Sequence, residues 1–180
     1  MEFALDDVRM GENGSELKLA KAGTVHATAR VAAMLPETAN TELKKLRYDQ
    51  KPYWDIERAR VTGTRQVPVE LIVNGYPLAQ KLIEADGKIQ EVSFDVPIER
   101  SSWVAMRILA SSHSNPIFVL VDGKPIRASR RSVEWCLKGV DQCASQKIRF
   151  IKKNEKEDFQ TAYDHARATY KKLLAECEVD

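Results

Sequence analysis

Histidine, cysteine and glycine are all sparse in this chain of 180 residues, with three His, three Cys and eight Gly. The histidines, His26, His113 and His165, stand far apart. No His-x-His, HExxH or CxxC pair occurs, so the usual spacings of a zinc site are missing. The scarce glycines form neither GxGxxG nor GxxxxGK[ST], and no GxSxG elbow is present. Phosphate cradles and the common serine nucleophile therefore lack their sequence signatures. Three cysteines do not make a disulfide framework. Cys136 and Cys143 are seven apart, about 10.5 Å of rise in an unbroken helix, which is beyond disulfide reach. Gly139 lies between them, and a helix broken there would leave a bridge open.

Long apolar runs are missing too: none approaches the ~20 residues of a membrane span. The opening "MEFALDDVRMGENG" has no apolar core and does not read as a signal peptide. The compartment stays open on these grounds. A net charge of +2 is too small an excess to argue for nucleic acid or an anionic membrane. Aromatics are only 7% of the chain, which is thin material for a sugar-stacking platform. Tyr53, Trp54, Tyr76 and Trp103 are the candidates for one, and Trp103 and Trp135 read more readily as core or interface anchors.

What the chain does have is alternation. "TVHATARVAAM" puts Val25, Ala27, Ala29, Val31 and Ala33 on one face and His26, Thr28 and Arg30 on the other. "ELKLAK", "DIERARV", "VPVELIV", "QEVSFDVPI", "SWVAMRIL" and "PIFVLV" read as further strands, the last apolar on both faces like a central strand. Asn74-Gly75 between apolar alternations is a hairpin signal, because both turn positions favour positive φ. Asp86-Gly87 and Asp122-Gly123 mark other turns. "LPETANTELKKLRYDQKPYWD" interrupts as a long polar excursion. About seven or eight short strands with no helix between them predict an antiparallel β-sandwich of Ig-like size over residues 1–128, with a closed barrel as the structural alternative.

Residues 129–180 change period. Ser132 is placed to cap a helix beginning "VEWCLK", which Gly139 ends or bends. Phe159, Tyr163, Ala166, Tyr170, Leu173, Leu174 and Cys177 fall at helical spacing on a second, longer helix. That stripe needs a partner: the sandwich, another protomer, giving a homodimer, or a further domain.

The polar loop "SSHSNP" carries His113 and Asn115 at the end of a strand, where sheets commonly present functional groups. The same residues also make an ordinary turn. The run "KPIRASRR" holds Lys124, Arg127, Arg130 and Arg131 with no acid among them, and leads into a helix start near Trp135. Arginine forks there suit a carboxylate or phosphate ligand. They equally suit carboxylates of the same protein. His113, Asn115, Arg127, Arg130, Arg131 and Trp135 are the candidate ligand or interface residues; no catalytic, metal or cofactor residue is indicated.

The stretches "LKLAKAGTVHATARVAAMLPE", "YDQKPYWDIERARV", "SFDVPIERSSWVAMRIL", "SSHSNPIFVLVDGKPIRASRRSVEWCLKGVDQC" and "YDHARATYKKLLAE" together resemble the C-terminal part of CehA/McbA-like metallohydrolases, whose hydrolase portion is a PHP-type domain. The resemblance spans nearly the whole chain and is most specific over 111–143. It implies a non-catalytic accessory module beside an upstream PHP-type domain. In that family the metal-binding residues belong to the PHP domain, so none is carried over to this chain.

Overall fold

The structure, a computed structural model, describes residues 1–50 and 52–177. The chain divides into two compact units, Met1–Ile126 and the segment from Arg127 onward. The first unit is mainly β. Its strands are β1 (Glu2–Leu5), β2 (Val8–Arg9), β3 (Glu16–Leu19), β4 (Gly23–Val31), β5 (Gln66–Val73), β6 (Tyr76–Glu84), β7 (Gln90–Ile98), β8 (Ser102–Ile108), β9 (Ser112–His113) and β10 (Ile117–Val121). One sheet has four strands in the order β2-β1-β4-β7. The other has six, in the order β3-β10-β8-β5-β6 with β9 alongside β8. The sheets form a sandwich and do not close into a barrel.

The alternation explains the core. Val25, Ala27, Ala29 and Val31 of β4 sit opposite Val96, Phe94, Val92 and Gln90 of β7, so β4 and β7 turn a common apolar face inward. Val67, Val69, Leu71, Val104, Met106, Ile117 and Val119 supply the facing layer, and all of them belong to one buried cluster with the β4 and β7 side chains. Each aliphatic side chain hidden this way contributes about 1.5–3 kcal/mol, so a one-residue slip of any of these strands, which would turn its whole apolar set to water, is strongly disfavoured.

Asn74 and Gly75 make the expected hairpin turn with φ of 50° and 93°. Asn74 also fastens the turn to the next strand. Its Oδ1 accepts from the Trp103 N–H at 3.0 Å and its Nδ2 donates to Ser102 Oγ at 3.0 Å.

Four details depart from the sequence reading. First, β3 pairs parallel to β10, with Glu16 beside Phe118, so the larger sheet is mixed. A short edge strand with one clear inward residue, Leu17, carries no information on direction. Second, β1 and β2 were not foreseen; Phe3 and Leu5 point into the core, but Asp6 turns the chain at φ 48° before a period can show.

Third, "DIERARV" is not a strand. Ile56–Ala59 forms a 3-10 turn capped by the Asp55 carboxylate, which accepts the Glu57 N–H at 2.9 Å. Within that turn Glu57 and Arg60 meet at i,i+3, with Nε to Oε1 at 2.6 Å and Nη2 to Oε2 at 2.9 Å. Arg60 also donates to the carbonyls of Thr64 at 3.0 Å and Pro36 at 2.7 Å, and so ties down the 36–65 excursion. A short helix, α1 (Thr41–Lys45), lies in that excursion, capped by Asn40.

The fourth departure lies in the second unit. That unit is the helix pair the sequence predicts, α2 (Arg130–Lys147) and α3 (Lys156–Glu176); what differs is the cap of α2 and the effect of Gly139. Ser129, rather than Ser132, caps α2, its Oγ accepting the Ser132 N–H at 3.1 Å. Gly139 neither ends nor bends α2, because a glycine costs a helix only about 1 kcal/mol and the flanking turns continue. The α3 stripe has its partner in α2. Tyr163 donates to Cys143 Sγ at 3.3 Å, and Arg167 joins Asp141 at 2.7 Å and Asp164 at 2.8 Å.

Candidate functional site

The six residues singled out by sequence are divided between the two units, His113 and Asn115 in the first and Arg127, Arg130, Arg131 and Trp135 in the second. His113 ends β9 across from Arg107. It is exposed, with Nδ1 3.1 Å from the Ser114 carbonyl oxygen. Asn115 is exposed in the short link to β10. Between them Ser114 is buried, its N–H bonded to the Met106 carbonyl at 2.8 Å and its Oγ accepting the Met106 N–H at 2.9 Å. The loop is therefore stitched to β8 through its middle residue, and among the described residues no carboxylate or thiol partners His113.

The arginine run belongs to the helical unit. Arg127 grips Glu176 at the end of α3, with Nε and Nη2 at 2.7 and 2.6 Å from Oε2. Arg130 reaches the Cys177 carbonyl at 3.4 Å. These two side chains fasten the entry of α2 to the exit of α3. Arg131 and Trp135 point to water, Trp135 with 74% of its surface exposed. Tyr53 and Trp54 meet edge to face with centroids 4.8 Å apart, a geometry that does not offer two parallel rings to a sugar.

A concave surface lies elsewhere. The outward face of the four-stranded sheet forms a trough of about 790 Å³, within the range of ligand pockets. Strand register builds it. Glu2, Arg30 and Glu91 form one cross-strand row, Ala4, Thr28 and Ser93 the next, and His26 with Asp95 the third. The middle row is the floor, made of three short side chains. Arg9 of β2 stands beside Ala4 as a wall.

The two end rows are internally tied. Arg30 Nη1 donates to Glu2 Oε2 at 3.0 Å, and His26 Nδ1 lies 2.9 Å from Asp95 Oδ1. Asp6 accepts the His26 N–H at 2.8 Å. Among the described residues no partner holds the side chains of Arg9, Glu91, Thr28 or Ser93. A guanidinium, a carboxylate and two hydroxyls thus face one depression. Sequence reasoning passed over these positions because Thr28, Glu91 and Ser93 are ordinary polar residues of alternating strands and Arg9 belongs to a two-residue strand with no period to read; the signal available was the matching of short side chains across β1, β4 and β7, which needs the register.

The helix pair holds one perturbed thiol. The Tyr163 hydroxyl donates to Cys143 and, with help from Lys147, holds the thiol below its ordinary range; the same bond raises Tyr163. Cys136, Cys143 and Cys177 are all unbridged. Among the described residues no group of three or more His, Cys, Asp or Glu side chains is arranged to hold a metal ion, and no helix is long and apolar enough to cross a membrane.

No family model matches the chain, and no curated protein or solved structure does either.

Proposed function

We propose that this chain is a non-catalytic accessory module, a β-sandwich with a helical appendage that serves the architecture or assembly of a PHP-type metal-dependent hydrolase. The resemblance over 111–143 supplies the class. The observation that carries the reading is the use of that stretch's polar groups inside the protein. Arg127 is held by Glu176 at 2.6 Å, Ser114 bonds to Met106 and Ser129 caps α2. A stretch that fixes a strand to its neighbour and one helix end to another behaves as a frame. The partner is a PHP-type hydrolase domain of the CehA/McbA-like kind.

The test has two arms. Titration of the purified chain with such a domain should give a saturable complex by calorimetry. The chain alone, supplied with Zn²⁺ or Mn²⁺, should turn over neither phosphate esters nor carboxylate esters. Metal-dependent hydrolysis that His113→Ala abolishes would overturn the reading, and so would the absence of any complex.

A second reading, a ligand-binding β-sandwich, is favoured by the trough on β1, β4 and β7. An anionic ligand at the arginine run has less support, because Arg127 already holds a carboxylate of its own unit.

A further inference from the structure

We propose that the trough on the four-stranded sheet binds an uncharged, polyhydroxylated ligand, a short saccharide lying across Ala4, Thr28 and Ser93. This rests on the ligand-binding reading and is independent of the accessory role, which stands or falls on its own titration.

The shape comes first. Side chains on one face of adjacent strands sit about 5 Å apart, so a row of Ala4, Thr28 and Ser93 gives a floor wide enough for one sugar ring and bounded by longer groups. The rows on either side, Glu2–Arg30–Glu91 and His26–Asp95, rise above it. Each end carries its own side-chain contact, Arg30 with Glu2 at 3.0 Å and His26 with Asp95 at 2.9 Å, so the end rows have partners before a ligand arrives, which lowers the ordering cost of binding.

The chemistry selects the class. The lining offers donors and acceptors in alternation: the Arg9 guanidinium, the Thr28 and Ser93 hydroxyls and the Glu91 carboxylate. A carboxylate accepts from two vicinal hydroxyls, and a guanidinium donates in a fixed fork to two oxygens. Neighbouring hydroxyls of a sugar present both patterns. A phosphate or carboxylate ligand is disfavoured by charge, because the five carboxylates of Glu2, Asp6, Asp7, Glu12 and Glu91 line the trough against two guanidiniums, Arg9 and Arg30, and the imidazole of His26. An apolar ligand is disfavoured by the floor, where Thr28 and Ser93 would lose water without gaining a partner. Among the described residues the trough's lining offers no exposed phenyl or indole ring, so binding depends on hydrogen bonds and is weak, with an apparent Kd of about 1 mM.

The test is an amide NMR titration of the full chain with maltotriose, cellotriose and triacetylchitotriose, and separately with inorganic phosphate and spermidine. At least one trisaccharide should give saturable shifts in residues 2–4, 28–30 and 91–93, while phosphate and spermidine give none there. Ser93→Leu, which fills the floor from a solvent-facing position, should weaken binding at least tenfold. Glu91→Gln should weaken it severalfold. Absence of saturable shifts in those residues with all three sugars in the wild-type chain would overturn the proposal, whatever the variants do. Binding unchanged in Ser93→Leu, or a response to phosphate or spermidine at these residues, would overturn it as well.

Discussion

Cutting Arg60 back to alanine is the sharpest test of how the long excursion is held. Arg60 and Glu57 are only 4% and 3% exposed, and their ion pair closes at 2.6 Å. Desolvating two charges is costly, and the pair persists because every lobe of the guanidinium is used: two bonds to Glu57 and one each to the carbonyls of Pro36 and Thr64. Arg60→Ala leaves a carboxylate buried with no counter-charge, which costs about 3–5 kcal/mol. Against a domain stability of about 5–15 kcal/mol, that is about a fifth of the total or more. The double variant Glu57→Leu with Arg60→Met removes both charges and leaves only the two carbonyls unpaired, about 1 kcal/mol each, so it should be more stable than Arg60→Ala alone. Urea unfolding followed by circular dichroism measures both, with Leu35 and Ala85 amide exchange reporting opening of the excursion. An Arg60→Ala loss below about 1 kcal/mol with unchanged Leu35 and Ala85 protection would refute the reasoning, as would a double variant less stable than the single.

Two further outcomes are expected. The pH profile of Cys143 alkylation by iodoacetamide should have its midpoint below the ordinary thiol value, because the thiolate is the reacting form and Tyr163 donates to it; Tyr163→Phe should move that midpoint upward, and a profile that stays put would show the hydroxyl to be a bystander. Asn74→Ala should cost about 2–5 kcal/mol in chemical denaturation, since it loses two hydrogen bonds to β8 at about 0.5–1.5 kcal/mol each and leaves a residue without a polar side chain at φ 50°, a region costing about 1–2 kcal/mol for residues other than Gly, Asn and Asp.

The long strands were legible because their period carries its own proof. Alternation runs unbroken from Thr24 to Val31 in β4 and from Glu91 to Ile98 in β7, and Asn74-Gly75 marks its turn with the two residues that tolerate positive φ. The short strands were not legible for a related reason. β1 has four residues and only Phe3 and Leu5 as inward positions, so its pattern is indistinguishable from chance until β4 is laid beside it. The "DIERARV" segment misled for the opposite reason: charged and apolar residues alternate from Arg58 to Val61, yet the spacing that decides is the i,i+3 pairing of Glu57 with Arg60. A burial pattern of period two and an ion pair of period three compete, and the fully satisfied guanidinium wins.

The candidate residues split along the same line. Arg127 and Arg130 were conspicuous as an uncompensated basic run, but sequence distance concealed their partners near residue 176, forty-nine positions on from Arg127. Local charge counting sees a vacancy where the fold supplies a carboxylate. The trough shows the converse. Arg9, Thr28, Glu91 and Ser93 attract no notice singly, since Thr28, Glu91 and Ser93 are polar members of alternating strands and Arg9 falls in a strand of two residues, too short to show a period, and nothing in the linear order joins residue 9 to residue 93. Register joins them: β1 sets Ala4 against Thr28, and β4 sets Thr28 against Ser93. A surface assembled by hydrogen-bond ladders is written in the pairing of strands, and the apolar faces that enforce that pairing are the part of this sequence that was readable. The inward alternation of Val25, Ala27, Ala29 and Val31 is therefore what places His26, Thr28 and Arg30 side by side on the outside, so the core pattern and the trough are two faces of one constraint.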